Sequence, residues 1–279
     1  MKLSFTKMHG CGNDYIYMDC FRQQVLEPAQ LSRTLSRPHF GIGGDGLILI
    51  LPSGQADAKM RIFNRDGSEG KMCGNGIRCV AKYLYDSGIV SKRDMRIDTL
   101  SGVKEVQVHP QENGPFLVTV DMGPAILNPP DIPVLLPGNR VVERQVELSE
   151  GQETITCVSM GNPHCVVFRP QVAKLDLEQE GPRFETAPIF PQGVNTEFVQ
   201  VIGENQLQMR VWERGSGETL ACGTGACASA VAAVLTGRCN PREPVQVVLR
   251  GGTLSIRDTG TTILMTGQAQ TVFTGEVEL

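Results

Sequence analysis

The sequence predicts an α+β fold made of two pseudo-symmetric repeats, in each of which a curved, mostly antiparallel sheet wraps a central helix. Two observations carry this prediction. Residue types recur at a fixed offset along much of the chain, and short β-type segments outnumber helical ones. Many short strands with one buried helix per repeat are typical of a layered α+β unit.

The repeat is clearest at two glycine-rich turns. The segment Met72-Cys73-Gly74-Asn75-Gly76 is matched 149 residues later by Ala221-Cys222-Gly223-Thr224-Gly225. The same offset relates further pairs without a gap: Asn13 and Asn162, Gly44 and Gly193, Glu69 and Glu218, Ala81 and Ala230, and Gly88 and Gly237. A register held over this length indicates duplication of one unit.

Alternating or β-branched apolar runs predict the strands. In chain order these are Tyr15–Asp19, Leu47–Leu51, Lys59–Phe63, Met95–Thr99, Lys104–His109, Leu117–Met122, Val141–Leu148, Cys165–Phe168, Thr196–Val201, Gln208–Glu213, Val245–Leu249, Gly252–Arg257 and Thr262–Thr266. Three helices are predicted, at Pro28–Ser36, Asn75–Ser87 and Thr224–Thr236. The last two stop at Gly88 and Gly237, which suit a left-handed C-terminal cap. The third lacks a broad polar face, which predicts burial on all sides.

The duplication predicts two domains. The proline-rich stretch from Pro124 to Pro137 is the best candidate linker. We expect residues 1–123 together with 268–279 to form the first domain, which carries Cys73. Residues 124–267 then form the second domain, which carries Cys222.

Composition narrows the possible functions. The 279 residues, 41% of them hydrophobic, suffice for two domain-sized cores. A net charge of −4 with scattered Lys and Arg argues against a nucleic-acid partner. The apolar runs are too short to span a membrane and no export signal is evident, so we expect a cytoplasmic protein.

Nine cysteines are a high and odd number. Without an export signal, a disulfide framework is not expected. No Cys-x-x-Cys pair occurs, and the spacings from Cys73 to Cys79 and from Cys222 to Cys227 do not fit zinc sites, so we predict no metal. Most of the nine are expected to be small buried hydrophobic residues.

Cys73 and Cys222 are the exceptions, because each precedes a predicted helix. Unpaired N–H groups and the positive end of a helix favour thiolate, so the pKa of both thiols should fall. The flanking glycines let a carboxylate approach the helix amides. In a cleft shared by the repeats, one thiolate could remove a proton beside a carboxylate while the other thiol delivers one to the opposite face. Such chemistry inverts a stereocentre and needs no cofactor.

Five longer motifs extend this pattern: Met8-His9-Gly10-Cys11-Gly12-Asn13-Asp14, Phe63-Asn64-x-Asp66-Gly67-Ser68, Met72-Cys73-Gly74-Asn75-Gly76-x-Arg78-Cys79, Ser159-Met160-Gly161-Asn162-Pro163-His164 and Glu213-Arg214-Gly215-x-Gly217-Glu218-Thr219-x-Ala221-Cys222-Gly223. They closely resemble the diaminopimelate epimerase family, over essentially the whole chain. The resemblance implies a cofactor-independent homodimer that interconverts L,L- and meso-diaminopimelate, a small-molecule substrate, in lysine and peptidoglycan precursor synthesis.

The resemblance also implies residue roles. Cys73 is the proton donor and Cys222 the acceptor in the L,L-to-meso direction. His164 and Glu213 fall on positions that tune the thiols. Substrate contacts and anion cradles fall on ten residues: Asn13, Asn64, Gly74, Asn75, Asn162, Asn195, Glu213, Arg214, Gly223 and Thr224. In chemical terms, Arg214 can hold a carboxylate in a bidentate fork, and Glu213 can accept from an ammonium.

One position departs from the family pattern. Some members carry a glutamine that touches substrate where this chain has Gly46, so that contact is not expected. The run Gly41-Ile42-Gly43-Gly44-Asp45-Gly46 also matches a dinucleotide-binding glycine pattern. That interpretation fails because a helix precedes the run and a strand follows it, the reverse of what dinucleotide binding needs.

Several alternatives stay open. A proline racemase or hydroxyproline epimerase shares the fold and the thiol pair, although a cyclic imino acid needs fewer polar contacts than this chain offers. A thiol redox sensor would instead use Cys73 and Cys222 as a regulatory disulfide. Taken singly, Asn13 and Asn162 could be turn residues after glycine, and His164 a hydrogen-bonded structural group.

Overall fold

A computed structural model describes residues 2–149 and 151–278 of the chain. Met1 and Leu279, which belong to the predicted first domain, and Glu150 lie outside the described residues. The chain divides into unit 1, formed by Met1–Asp121 and Thr266–Leu279, and unit 2, formed by Met122–Met265. Both units combine a mixed sheet with few helices, which confirms the predicted α+β class.

Eighteen strands and four α-helices are found in the described residues. In chain order they are β1 (Lys2–Gly10), β2 (Asn13–Asp19), α1 (Pro28–Leu35), β3 (Gly46–Leu51), β4 (Ala58–Asn64), β5 (Glu69–Gly70), α2 (Gly74–Asp86), β6 (Asp94–Thr99), β7 (Gly102–His109), β8 (Leu117–Asp121), β9 (Arg144–Leu148), β10 (Gly151–Ser159), β11 (Pro163–Phe168), α3 (Leu177–Glu185), β12 (Asn195–Gly203), β13 (Gln206–Glu213), β14 (Gly217–Thr219), α4 (Gly223–Leu235), β15 (Val245–Leu249), β16 (Gly252–Asp258), β17 (Ile263–Gln268) and β18 (Gln270–Glu278). Short 3-10 turns cover Pro129–Asp131 and Val172–Lys174.

The sheet of unit 1 mixes both strand directions. β1 pairs antiparallel with β18 on one side and with β2 on the other. β2 pairs parallel with β3, β3 antiparallel with β4, and β4 parallel with β6. β6, β7 and β8 continue antiparallel. α2 packs against β1, β2, β6, β7 and β8, so this helix contacts most of the sheet.

Unit 2 repeats the same order. β10 pairs antiparallel with β9 and β11, β11 parallel with β12, β12 antiparallel with β13, and β13 parallel with β15. α4 packs against β10, β11, β12, β13, β15 and β16. The helices α2 and α4 begin and end 149 residues apart, as do β1 and β10. The repeat seen in the sequence therefore extends to strand order and strand direction.

The two matched helices differ in their polarity. α4 buries ten of its thirteen residues, among them Ser229 and the run from Ala230 to Ala233, which confirms its predicted burial. α2 buries eight residues and leaves a polar face. Past their ends, Gly88 (φ +70°) and Gly237 (φ +72°) adopt the left-handed conformation predicted for a C-terminal cap. No helix among the described residues is long and apolar enough to cross a membrane.

Six elements were not predicted from the sequence: β1, β5, β10, β14, β18 and α3. β18 exposes most of its side chains, so no apolar pattern marks it, and its main-chain pairing with β1 defines it instead. α3 contains Gly181 and Pro182, both poor helix formers. It forms because Asp176 caps its N-terminus and Phe184 is fully buried.

The core of unit 2 shows why glycine is needed within α3. The Phe184 and Phe198 rings meet edge to face at 5.6 Å and 84°. The Trp212 indole lies against the α3 backbone at Gly181, where a Cβ would stand 2.1 Å from Trp212 Cδ2. A side chain at position 181 would therefore collide with the indole ring.

We expect Gly181→Ala to destabilise the protein by roughly 2 kcal/mol, because overpacking costs about 1–3 kcal/mol. The gain in helix propensity, at most about 1 kcal/mol, does not offset a contact this close. Urea unfolding followed by far-UV circular dichroism measures the change. Gly54→Ala is the matched control, since a Cβ there meets nothing within 4 Å. Equal midpoints for the two variants would contradict the steric account.

Candidate active site

Cys73 is the N-cap residue of α2. Its backbone is extended (φ −134°, ψ 116°), and its Sγ accepts a hydrogen bond from the Gly76 backbone N–H at 3.3 Å. A Cβ on Gly76 would lie 2.7 Å from Ile48 Cδ1, so a side chain there would displace the end of the Ile48 side chain. The Cys73 side chain is half-buried. The turn thus holds the thiol in place and directs a main-chain donor at its sulfur.

Asn13, the first residue of β2, contacts the same sulfur. The Cys73 thiol donates to Asn13 Oδ1 over 3.3 Å, and Asn13 Nδ2 donates to Asp45 Oδ2 over 2.7 Å. Asp45 Oδ2 also accepts from the Asp14 backbone N–H at 3.1 Å. Because a carboxylate only accepts, Asp45 determines which end of the Asn13 carboxamide faces the thiol. The carbonyl end faces Cys73.

Arg78, in the second turn of α2, is fully buried. Its guanidinium donates to Gly74 O at 3.0 Å, Asn75 Oδ1 at 2.9 Å, Cys11 Sγ at 3.6 Å and Gln268 O at 3.3 Å. These bonds tie the first turn of α2 to the β1–β2 turn and to the end of β17. Since the Asn75 side chain is engaged inside the protein, the backbone N–H groups are what this helix start offers to an anion.

Asn64, the last residue of β4, has an exposed side chain. Its Nδ2 donates to Ser68 Oγ at 3.0 Å, a partner in its own turn. Gly46 stands opposite Asn64 in the β3–β4 register. A Cβ at Gly46 would lie 2.1 Å from the Phe63 carbonyl oxygen, so this backbone leaves no room for the glutamine of some related sequences.

Cys222 caps α4 in the same way. Its backbone is extended (φ −122°, ψ 113°), and its Sγ accepts from the Gly225 N–H at 3.4 Å. Thr224 Oγ1 lies 3.4 Å from the same sulfur. Cys222 is buried, with 5% of its surface exposed. A Cβ on Gly225 would lie 2.5 Å from Glu197 Oε1, so in unit 2 a carboxylate stands where unit 1 has Ile48.

Further polar side chains extend from the Cys222 turn. Asn162 Nδ2 donates to Thr224 Oγ1 at 3.3 Å, and Asn162 Oδ1 lies 3.0 Å from His164 Nε2. His164 Nδ1 lies 2.7 Å from Glu197 Oε1. His164 and Glu197 are fully buried. The structure therefore brings two residues of the predicted site, Asn162 and His164, together with Thr224 and Cys222.

Asn195 begins β12 and pairs with His164 in the parallel β11–β12 register. Its Nδ2 donates to Pro163 O at 2.9 Å, and its Oδ1 accepts from the Arg214 backbone N–H at 3.0 Å. Asn195 thus ties β11 to the turn that follows β13. The Arg214 side chain is exposed and donates from Nη1 to Gln192 O at 2.8 Å.

Glu213, the last residue of β13, accepts from Thr219 Oγ1 at 2.5 Å. Burial raises the pKa of Cys222 well above the usual thiol value, and the negative charges of Glu213 and Glu197 raise it further. The Thr224 hydroxyl and the helix N–H lower the pKa by less. The predicted fall in pKa is therefore wrong for Cys222, because desolvation and two carboxylates outweigh the helix terminus.

Neither Asp45 nor Glu197 is among the site residues predicted from the sequence. Asp45 lies within a glycine run whose pattern suggested a different chemistry. Glu197 is an acidic residue inside the predicted strand Thr196–Val201, and a lone charge in a buried strand needs a partner. This isolated acidic residue in an apolar strand was the sequence signal for Glu197. Among residues 2–149 and 151–278, no group of three His, Cys, Asp or Glu side chains could hold a metal ion.

Solved structures with a similar fold span the whole chain. A phenazine biosynthesis protein of the PhzF family from Bacillus anthracis has a TM-score of 0.70 at 16% identity, over 100% of both chains. A probable proline racemase from Agrobacterium radiobacter has a TM-score of 0.68 at 16% identity, over 99% of this chain and 93% of its own. At this identity, the likeness shows the fold alone.

Sequence similarity is more specific. The diaminopimelate epimerase family model matches residues 5–128 and 156–272. The chain is 52% identical over 277 residues to the diaminopimelate epimerase of Geobacillus kaustophilus, covering 98% of this chain and 95% of that one. It is 50% identical over 279 residues to that of Acetivibrio thermocellus, covering 99% of each. Over nearly its full length, the chain belongs to the diaminopimelate epimerase family of isomerases.

Proposed function

We propose that this protein interconverts L,L- and meso-diaminopimelate without a cofactor, using Cys73 and Cys222 as its two acid/base groups. In the L,L-to-meso direction, the Cys222 thiolate removes the α-proton and the Cys73 thiol delivers a proton to the opposite face. Between these steps the electron pair of the C–H bond stays on the α-carbon, beside the carboxylate. The roles exchange in the reverse direction. The reaction serves lysine and peptidoglycan precursor synthesis.

The repeated capping geometry is the observation that supports this proposal most. Each unit has a helix that begins directly after a cysteine, and each cysteine sulfur accepts the backbone N–H three residues further on. Free N–H groups at a helix start suit a carboxylate, and they stabilise the charge that grows on it as the α-proton leaves. The proposed anion cradles are Gly74-Asn75 and Gly223-Thr224.

Polar residues around the two turns suit the rest of the substrate. Diaminopimelate carries an amine and a carboxylate at each end. The exposed Arg214 guanidinium can hold a carboxylate, and Glu213 can accept from an ammonium. We assign His164 and Glu213 to tuning the thiols. The proposed substrate contacts are Asn13, Asn64, Asn162, Asn195, Glu213 and Arg214.

We also propose that the protein works as a homodimer in the cytoplasm. Family membership and the proposed biosynthetic role support both statements. Size-exclusion chromatography with light scattering should give twice the mass of one chain. The mass of a single chain would contradict the dimer.

Exchange of the α-proton tests the reaction directly. Reduced protein is incubated with L,L-diaminopimelate in D₂O without added cofactor, and the products are followed by NMR and chiral chromatography. We expect deuterium at one α-carbon together with meso product, because the incoming proton comes from a thiol equilibrated with solvent. A folded, reduced sample that exchanges proline and not diaminopimelate would transfer the assignment to proline racemisation.

We expect Cys73→Ala and Cys222→Ala each to abolish epimerisation, with kcat lowered at least about a hundredfold, because a single acid/base group cannot invert the centre. Initial rates in both directions measure the loss. Cys20→Ala in unit 1 and Cys239→Ala in unit 2 are matched controls, and they should keep nearly full activity. Wild-type turnover in either of the first two variants would exclude the two-base mechanism.

We expect Glu213→Gln to lower the pKa of Cys222, because the substitution removes a negative charge that opposes the thiolate. The midpoint of the pH profile for alkylation of Cys222 by iodoacetamide should therefore move to lower pH. Mass spectrometry of the Cys222 peptide gives the rate at each pH. Glu178→Gln, an exposed change in α3, is the control and should leave the midpoint in place. An unchanged midpoint in Glu213→Gln would show that the charge does not act on this thiol.

A further inference from the structure

A continuous chain of hydrogen bonds within unit 2 ends at the Cys222 sulfur. It runs from Glu197 Oε1 to His164 Nδ1 (2.7 Å), then from His164 Nε2 to Asn162 Oδ1 (3.0 Å). Asn162 Nδ2 continues it to Thr224 Oγ1 (3.3 Å), and Thr224 Oγ1 lies 3.4 Å from Cys222 Sγ. Its far end, the Glu197–His164 pair, is fully buried.

The donors and acceptors of this hydrogen-bond chain follow one order. Asn162 Oδ1 can only accept, so His164 Nε2 must carry a proton. With its oxygen turned to His164, Asn162 presents its NH₂ group to Thr224 Oγ1. The Thr224 hydroxyl then uses a lone pair for Asn162, and its own hydrogen is available to the Cys222 sulfur. If Nε2 lost its proton, Asn162 would reverse and Thr224 would donate away from the sulfur.

Glu197 is the group that keeps this proton in place. Burial raises the pKa of the Glu197 carboxyl, and the neighbouring His164 opposes that rise. Its second oxygen, Oε2, is buried without a hydrogen-bond partner in the described residues, which is costly for a carboxylate facing a neutral ring. With Nε2–H donated to Asn162 Oδ1, the 2.7 Å contact between Glu197 Oε1 and His164 Nδ1 needs one further proton, which either atom can carry.

Unit 1 lacks this arrangement. At the positions 149 residues earlier, Ile48 stands in place of Glu197, Tyr15 in place of His164 and Asn75 in place of Thr224. The Ile48 side chain fills the space under Gly76 that a carboxylate fills under the matching turn of unit 2. Since the backbone is shared, the buried pair is a specific feature of the Cys222 side.

We propose that Glu197 is a positioning residue for Cys222: by keeping a proton on His164 Nε2 it fixes Asn162 and directs the Thr224 hydroxyl hydrogen at the Cys222 sulfur. The inference rests on the proposed acid/base function of Cys222. A thiolate at this position then receives two donors, the helix N–H and the Thr224 hydroxyl. Hydrogen bonds to the charged form stabilise it and offset part of the cost of its burial.

Imidazole ¹⁵N NMR tests the Glu197–His164 end of the hydrogen-bond chain. The protein has four histidines to assign. We expect wild-type His164 to show a single form with Nε2 protonated. In Glu197→Gln the new amide can pair with either tautomer of a neutral ring, so a mixture should appear. Wild-type His164 without a proton on Nε2, or an unmixed Nε2–H form in Glu197→Gln, would overturn the proposal. Because NMR needs no turnover, this result is independent of whether the protein accepts diaminopimelate.

Kinetic measurements test the Cys222 end of the hydrogen-bond chain. Glu197 acts on Cys222 in two opposite ways, because its charge raises the thiol pKa while the hydrogen bonds that it anchors stabilise the thiolate. We expect the loss of these hydrogen bonds to be the larger effect in Glu197→Gln, so that kcat falls about tenfold, the effect of losing one well-placed hydrogen bond to a charged group. Glu197→Asp, which keeps the carboxylate, should restore part of the loss. Glu153→Gln is the control: Glu153 is also buried in unit 2, but it pairs with Arg169 and Arg183, so kcat and the His164 spectrum should not change.

A double-mutant cycle shows whether Glu197 acts through Thr224. Thr224→Val removes the hydroxyl and should lower kcat by itself. If Glu197 acts through the hydrogen-bond chain, Glu197→Gln will not lower kcat further in the Thr224→Val background. Losses that multiply would show that Glu197 acts by another route and would overturn the proposal. Absence of activity in the wild type would count against the proposed function. The NMR result alone would then show whether the hydrogen-bond chain has the proposed orientation.

Discussion

A hydrogen bond from a helix N–H to a cysteine sulfur fixes the geometry of both units. At Cys73 and Cys222, sulfur takes the capping position that a serine or aspartate oxygen commonly occupies. The group that starts each helix is therefore also the group that we propose exchanges protons. Because α2 and α4 each pack against most strands of their unit, the sheets determine where each thiol lies. In each unit, one cysteine side chain both caps the helix and supplies the proposed acid/base group.

The two units use this shared backbone with different electrostatics. Cys73 faces the carbonyl end of Asn13, whose orientation Asp45 sets, so the neighbouring side chain accepts from the thiol. Cys222 faces a hydroxyl and two nearby carboxylates. The proposed two-base mechanism needs one protonated and one ionised thiol at the start of each turnover. Duplication alone would give two equal thiols, and the substituted neighbours make them unequal.

The sequence predicts α2 and α4 to within one residue at each end, because a Cys-Gly turn and a terminal glycine are local signals. It does not predict β18, whose exposed side chains form no pattern, nor the pairs Asn13–Asp45 and His164–Glu197, whose members lie more than thirty residues apart. Hydrogen bonds of this kind follow from strand pairing, as in the β11–β12 register. The sign of the Cys222 pKa shift also depends on burial, which no local motif specifies.

The pairing of β1 with β18 reverses the order in which the two units can be completed during synthesis. Unit 2 is one continuous segment, Met122–Met265, and is translated before β18 begins at Gln270. Unit 1 contains the earliest residues, but β1 lacks one neighbour until β18 is translated. Nascent chains therefore carry an open strand edge for most of their synthesis, a state prone to pairing with other chains. Among the strands of unit 1, β1 is translated before all others and is the last to find both of its neighbours.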